Sequence, residues 1–355
     1  MIFATLLSAT LLAAPPPTAP KTAMRGAFDS LTTLIWLTSG PLTPEQTADV
    51  KRELSALEKV PHALKGAQLT REPGLGAVSS LFAQYVTQTR TRLEFGDRDA
   101  VRYRVRTLAS LCFACHSREQ VPADFSDAEQ RFSQLRLSPL ERARVLAATR
   151  QFDLALTSYR QVLDGPPDHP DFARALEESL VVLVRVKGDA AATLTLLDAV
   201  TKLPLREPQR VLVSSWRTDV KAWQAEPKRL EELQREELVK ACSALVASRG
   251  DVPLLRASAA LTRALPLDPK DKARGELLLL LGEASSALRT PLLWDLDLLY
   301  LEACVRENVK TPLASKCAER FEERLTLGFT GSSGTHIPPD EQRRLDELRA
   351  LAGKK

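Results

Sequence analysis

From Thr22 onward the apolar side chains recur every three or four residues. In Thr22–Thr38 they are Met24, Ala27, Phe28, Leu31, Leu34, Ile35 and Leu37, a broad stripe along one face of a helix. A helix of this kind buries that face against other helices. Composition supports the same class. Leu, Ala, Arg and Glu dominate, β-branched and aromatic residues are sparse, and 355 residues contain only 15 glycines. Unbranched side chains lose little rotamer freedom in a helix. The expected fold class is all-α. A chain of this length exceeds one small core and divides into two or three domains.

The pattern predicts four helices over residues 21–120. Gly40-Pro41 ends the first. Thr43-Pro44-Glu45-Gln46 opens the second, with a hydroxyl cap, proline at the first helical position and acidic and amide groups in the first turn. Its apolar positions are Val50, Leu54, Leu57 and Val60, and a longer connection is expected from Pro61 to Gly76. The third helix is expected over Ala77–Phe95 through Leu81, Phe82, Tyr85, Val86 and Leu93. Gly96-Asp97 breaks the chain, and a fourth helix over Arg98–Ser117 carries Val101, Val105, Leu108 and Leu111. Helices of this length with short links fit a bundle.

The fourth helix ends in Cys112-Phe113-Ala114-Cys115-His116. This is the spacing of a c-type haem attachment site. Two thiols one helical turn apart add across the two vinyl groups of haem, and the following histidine faces the iron as an axial ligand. Three other readings compete. A half zinc site needs further Cys or His ligands, and there is no second CxxC. A thioredoxin-like redox pair needs a βαβ setting. A disulfide within CxxC leaves His116 unexplained. One covalent haem c is therefore expected, on Cys112 and Cys115, with His116 as proximal iron ligand.

Residues 22–118 resemble the four-helix-bundle cytochromes (cytochrome c-prime and its low-spin relatives) in helix order, domain length and placement of the motif on the last helix. Small cytochromes with a methionine ligand downstream of the motif are excluded, because Met1 and Met24 are the only methionines. The resemblance implies a methionine ligand early in the first helix, where Met24 stands. His62, at the end of the second helix, is an alternative distal ligand. A vacant sixth position, as in high-spin members, would be screened by apolar residues such as Phe28, Leu31 and Phe82.

Residues 121–138 are expected to be a linker. From Pro139 to Lys355 the pattern changes to helical hairpins. Ala143, Phe152, Ala155, Tyr159 and Val162, followed by prolines at 166, 167 and 170, resemble a tetratricopeptide repeat. Ala173–Leu203 is expected to be a degenerate second copy with an inner turn at Lys187-Gly188-Asp189. Glu231–Ala264 and Ala273–Cys304 are expected to continue as helix pairs.

Residues 1–20 read as a signal peptide: an apolar run from Ile2 to Ala14 and a proline-rich break. The expected location is the periplasm, with no membrane span in the mature chain. The net charge is +4 with no basic block, which argues against a nucleic-acid partner. An exported chain favours a disulfide between Cys304 and Cys317 on two helices flanking a short connection. Cys242 is left as a buried thiol, and Trp216, Trp223 and Trp294 as packing residues. The expected function is one-electron transfer, with the C-terminal repeats docking a redox partner protein. The alternatives are a haem-based gas sensor and an interaction scaffold with structural haem. A peroxidase would need a distal His–Arg pair that the sequence does not show, so no enzyme is expected. The sequence carries no signal for oligomeric state.

Overall fold

The computed structural model describes residues 19–64, 73–117, 125, 127–265, 271, 273–288, 296–332 and 334–353. These residues are almost wholly helical. Residues 1–18 of the expected leader, and Trp294, lie outside them.

Helices α1 (Ala19–Leu37), α2 (Thr47–Leu64), α3 (Pro73–Glu94) and α4 (Arg98–His116) pack in sequence order, and α4 returns to α1. Ion pairs Lys51–Glu94 at 3.2 Å and Glu58–Arg90 at 3.0 Å set α2 and α3 antiparallel. The turn between α3 and α4 needs Gly96 at φ +77, a left-handed conformation that glycine adopts without a side-chain clash. Asp97 then caps α4 by accepting a hydrogen bond from the Ala100 amide at 3.2 Å. At the start of α2, the Thr43 amide donates to Gln46 Oε1 at 3.0 Å, and the Gln46 amide donates to Thr43 Oγ1 at 3.4 Å. The side-chain capping expected at Thr43 is present, although regular α-helix begins at Thr47.

Two boundaries differ from the sequence pattern. Pro61 does not end α2, which continues to Leu64. Proline removes one helical hydrogen bond, and burial of the Pro61 ring against the interior offsets that loss. Helix α3 begins at Pro73 rather than Ala77, because proline is tolerated in a first turn whose amides have no helical partner.

Of the expected linker 121–138, residues 121–124 and 126 lie outside the described residues, and the rest is more than a connection. Ala128–Ser133 forms a short helix, α5. Phe125 stacks on Phe28 with ring centres 4.7 Å apart, and Phe132 meets Phe28 edge-on at 5.6 Å. Arg25 on α1 donates to both carboxylate oxygens of Asp127 at 3.0 and 2.7 Å, and Arg131 reaches Asp29 at 2.6 Å. Burial of the two phenylalanines fixes this stretch to α1.

The remaining helices are α6 (Pro139–Ala148), α7 (Phe152–Leu163), α8 (Phe172–Leu180), α9 (Ala190–Val200), α10 (Glu207–Gln224), α11 (Arg235–Ser248), α12 (Asp251–Ala264), α13 (Arg274–Ala287), α14 (Asp297–Glu307), α15 (Pro312–Gly328) and α16 (Pro339–Ala352). A π-helical stretch, Val181–Lys187, extends α8, and Gly188 at φ +61 turns the chain into α9. Among the described residues the only strands are Thr330–Gly331 and Gly334–Thr335, paired antiparallel. Two apolar clusters form the interior. One runs from Phe28 through Leu255, so side chains before and after the 121–138 segment share a core. The other joins α11–α16 with Val78 of α3, and α14 packs on α3. No helix among the described residues is long and apolar enough to cross a membrane.

Candidate functional site

Cys112, Cys115 and His116 occupy the last two turns of α4. Alternating helix directions bring the N-terminal end of α1 and the C-terminal ends of α2 and α4 to one end of the four helices, so Met24, His62 and the motif share that end. Met24 is half-buried and packs into the first apolar cluster. His62 is exposed on the last turn of α2.

The far side of the motif is anchored. Phe113, between the two cysteines, is buried and meets Phe152 of α7 edge-on at 6.4 Å. Earlier on α4, Arg106 pairs with Glu141 of α6 at 2.9 Å. These contacts fix the C-terminal half of α4 against the α6–α7 hairpin. Neither cysteine is disulfide-bonded, and both are half-buried. Cys112 packs against the first apolar cluster and Cys115 against the second, so the motif lies where the two interiors meet.

His116 has a defined partner. Its Nδ1 faces the carbonyl oxygen of Ala148, the last residue of α6, at hydrogen-bonding distance. A carbonyl only accepts, so Nδ1 carries the proton and Nε2 keeps its lone pair. Burial, with the Arg150 charge adding to it, lowers the His116 imidazole to about 4, so the ring is neutral at neutral pH.

The Cys112 thiol is not depressed as it is in a redox-exchange pair. Burial, together with Cys115 beside it, pushes the Cys112 thiol up to about 12. A reactive CxxC lies at a helix N-terminus with a depressed thiol, whereas this pair lies at a helix C-terminus with a protonated one. Among the described residues, no group of three or more His, Cys, Asp or Glu side chains could hold a metal ion unaided, and a structural zinc site needs four such donors. A comparison with protein-family models, curated proteins and solved structures finds no match to this chain.

The donor set fits a c-type haem. Two cysteines outside any disulfide stand one helical turn apart, and the adjacent imidazole is neutral with the lone pair on Nε2. Nδ1–H is tied to a backbone carbonyl, as metal-bound histidines commonly are. The Ala148 carbonyl and Arg150 were not among the expected site residues. A backbone acceptor 32 positions downstream has no side-chain signature.

Elsewhere, Cys304 of α14 and Cys317 of α15 are joined in a disulfide with Cα atoms 6.1 Å apart. Cys242 is fully buried and free, and burial pushes its thiol up to about 12. Trp216 packs in the first cluster and donates its indole N–H to Asp251 at 2.8 Å.

Proposed function

We propose that this chain is an exported, periplasmic c-type cytochrome that carries one haem and transfers single electrons. The observation that carries the reading is the hydrogen bond from His116 Nδ1 to Ala148 within a CxxCH motif. It leaves Nε2 as the iron-binding nitrogen and holds the ring against rotation. Cys112 and Cys115 would hold the haem by thioether bonds, and His116 would ligate its iron. When bound, the haem supplies a one-electron ferric–ferrous couple. Phe113 and the α6–α7 hairpin keep the proximal side packed and dry, which lowers the reorganisation needed when charge changes. Helices α1–α4 act as the haem-binding bundle, with Met24 as the leading candidate for the distal position because it is half-buried at the same end of the bundle. His62 is exposed and would have to turn inward to reach the iron. The helix pairs from α6 onward, read as tetratricopeptide-like, would dock a redox partner protein.

The test is expression with the export signal in a host competent for cytochrome c maturation. A denaturing gel stained for haem, and a pyridine haemochrome spectrum, should show one haem retained on the chain. The Cys112→Ala/Cys115→Ala variant should show none. A wild-type chain without covalent haem overturns the proposal. A reduced native spectrum that is five-coordinate and high-spin would move the function from electron carrier to gas binder.

A further inference from the structure

A cleft opens in the C-terminal helices where two connections meet. One is the turn Lys187-Gly188-Asp189 into α9, and the other is the segment that joins α10 to α11. Two adjoining hollows of about 510 and 310 Å³ share Lys187, Gly188, Trp223 and Arg229, and each has the size of a ligand pocket. Trp223 is half-buried, and the Arg256 guanidinium of α12 lies 4.7 Å from its ring centre. Val186, Leu230 and Ala259 give the smaller hollow an apolar side. The wall at Val184, Val186 and Lys187 is π-helical, a widened turn that recurs at functional sites.

Every carboxylate that lines the cleft already has a donor. Glu226 accepts from Arg256 at 2.7 Å, and Glu231 pairs with Arg263. Glu232 accepts from the Arg229 amide at 3.3 Å, and Asp189 caps α9 by accepting from the Ala192 amide at 2.8 Å. Lys187 pairs with Asp153 of α7. Lys228 and Arg229 are exposed, and among the described residues neither side chain enters an ion pair. Two adjacent cations beside an indole are thus open to a carboxylate from outside. The cleft is also close to the motif. Asp153 follows Phe152, whose ring meets Phe113, between the two cysteines, at 6.4 Å. A molecule seated at Lys187 therefore stands two side-chain contacts from Cys112 and Cys115.

Resting on the reading that the helices from α6 onward dock a partner, we propose that this cleft binds an extended acidic segment of the partner protein. Carboxylates of the segment meet Lys228 and Arg229, and an apolar side chain packs on Trp223. Two hollows joined through Trp223 and Arg229 suit successive side chains of one extended chain. Exposed ion pairs are individually weak, so the affinity needs the indole contact together with the charges. Opposite charges also steer the approach and quicken association, which suits an electron carrier that must meet and leave its partner.

The test ligand is a dye-labelled peptide repeating Glu-Pro-Leu, blocked at both ends, with a Gln-Pro-Leu counterpart. Proline holds it extended and lowers the ordering cost. Fluorescence anisotropy with the full-length chain should show saturable binding of the Glu peptide. Binding should weaken several-fold as salt rises from about 0.01 to 0.15 M, because the screening length falls from about 30 to 8 Å. Lys228→Gln/Arg229→Gln should bind about tenfold more weakly, and Lys228→Arg/Arg229→Lys should bind as the wild type does. Both positions are exposed, so the melting temperatures should not change. No binding by the wild type, equal binding of the Glu and Gln peptides, or undiminished binding by Lys228→Gln/Arg229→Gln overturns this inference. Covalent haem retained on the chain in any of those cases leaves the cytochrome reading standing. Charge-dependent peptide binding by a chain that carries no haem upholds the cleft and overturns the cytochrome reading alone.

Discussion

Glu178 is the buried charge on which the α6–α7–α8 packing turns, and removing its partner should be severe. Its carboxylate is 1% exposed. Arg144 Nε donates to Oε1 and Oε2 at 3.0 and 3.1 Å, and a second guanidinium nitrogen reaches Oε1 at 2.5 Å. The buried Tyr159 hydroxyl donates to Oε2 at 3.0 Å. Burial first, and then the Glu178 charge, raises the Tyr159 phenol well above its ordinary value, so it remains a donor. Breaking a buried ion pair from one side costs about 3–5 kcal/mol, because the other charge stays behind undischarged. The Arg144 side chain is 22% exposed, so water reaches the guanidinium, and Arg144→Met belongs at the lower end, about 3 kcal/mol. Tyr159→Phe removes one hydrogen bond to a charged acceptor, about 1.5 kcal/mol. Arg144→Met/Glu178→Leu removes both charges and should return most of the loss. Urea unfolding followed by circular dichroism, with the slope unchanged between variants, gives these differences from the midpoints. A loss under about 1 kcal/mol for Arg144→Met, or a double variant no better than the single, would refute the buried-pair reasoning. Arg144 lies one turn before Ala148, so the single variant should also disturb the His116 tautomer.

Three further outcomes are expected. Cys304→Ser/Cys317→Ser opens a loop with a sequence separation of 13, and the chain-entropy relation gives a loss of about 3 kcal/mol; reductant should lower the melting temperature of the wild type and leave the variant unmoved. In the haem-free chain His116 falls to about 4, against about 6.5 when unfolded. The unfolded chain then binds more protons between those values, so stability falls as pH drops from about 6.5 to about 4, by at most about 3 kcal/mol. That slope should vanish in His116→Gln. A Cβ at Gly282 would stand 2.7 Å from Leu301 Cγ and 2.8 Å from its Cδ2, so Gly282→Ala should force α13 from α14 and lower stability by about 1–3 kcal/mol. An unchanged melting temperature would show that Leu301 yields freely.

The helices were legible because their signals are local. The apolar stripe of Thr22–Thr38 became α1, and Gly96-Asp97 separated α3 from α4 where expected. The break at Lys187-Gly188-Asp189 likewise became the turn into α9. Pro61 misled because its effect depends on burial. The helix continues through it where Pro61 is buried, and a sequence does not show which prolines will be inside. The 121–138 segment misled for the reason that Phe125 and Phe132, isolated in sequence, meet Phe28 on a distant helix.

By itself the sequence determined the all-helical class and the placement of two thiols and an imidazole on one helix end. Periodicity and covalent spacing act within a few residues, and no tertiary contact is needed to set them. The tertiary structure alone decided that His116 meets the carbonyl of Ala148, that Met24 is half-buried while His62 is exposed, and that the helices beyond Pro139 share a core with α1 and α4. Backbone carbonyls are the same at every position. Which one faces a given side chain follows only from how the helices pack.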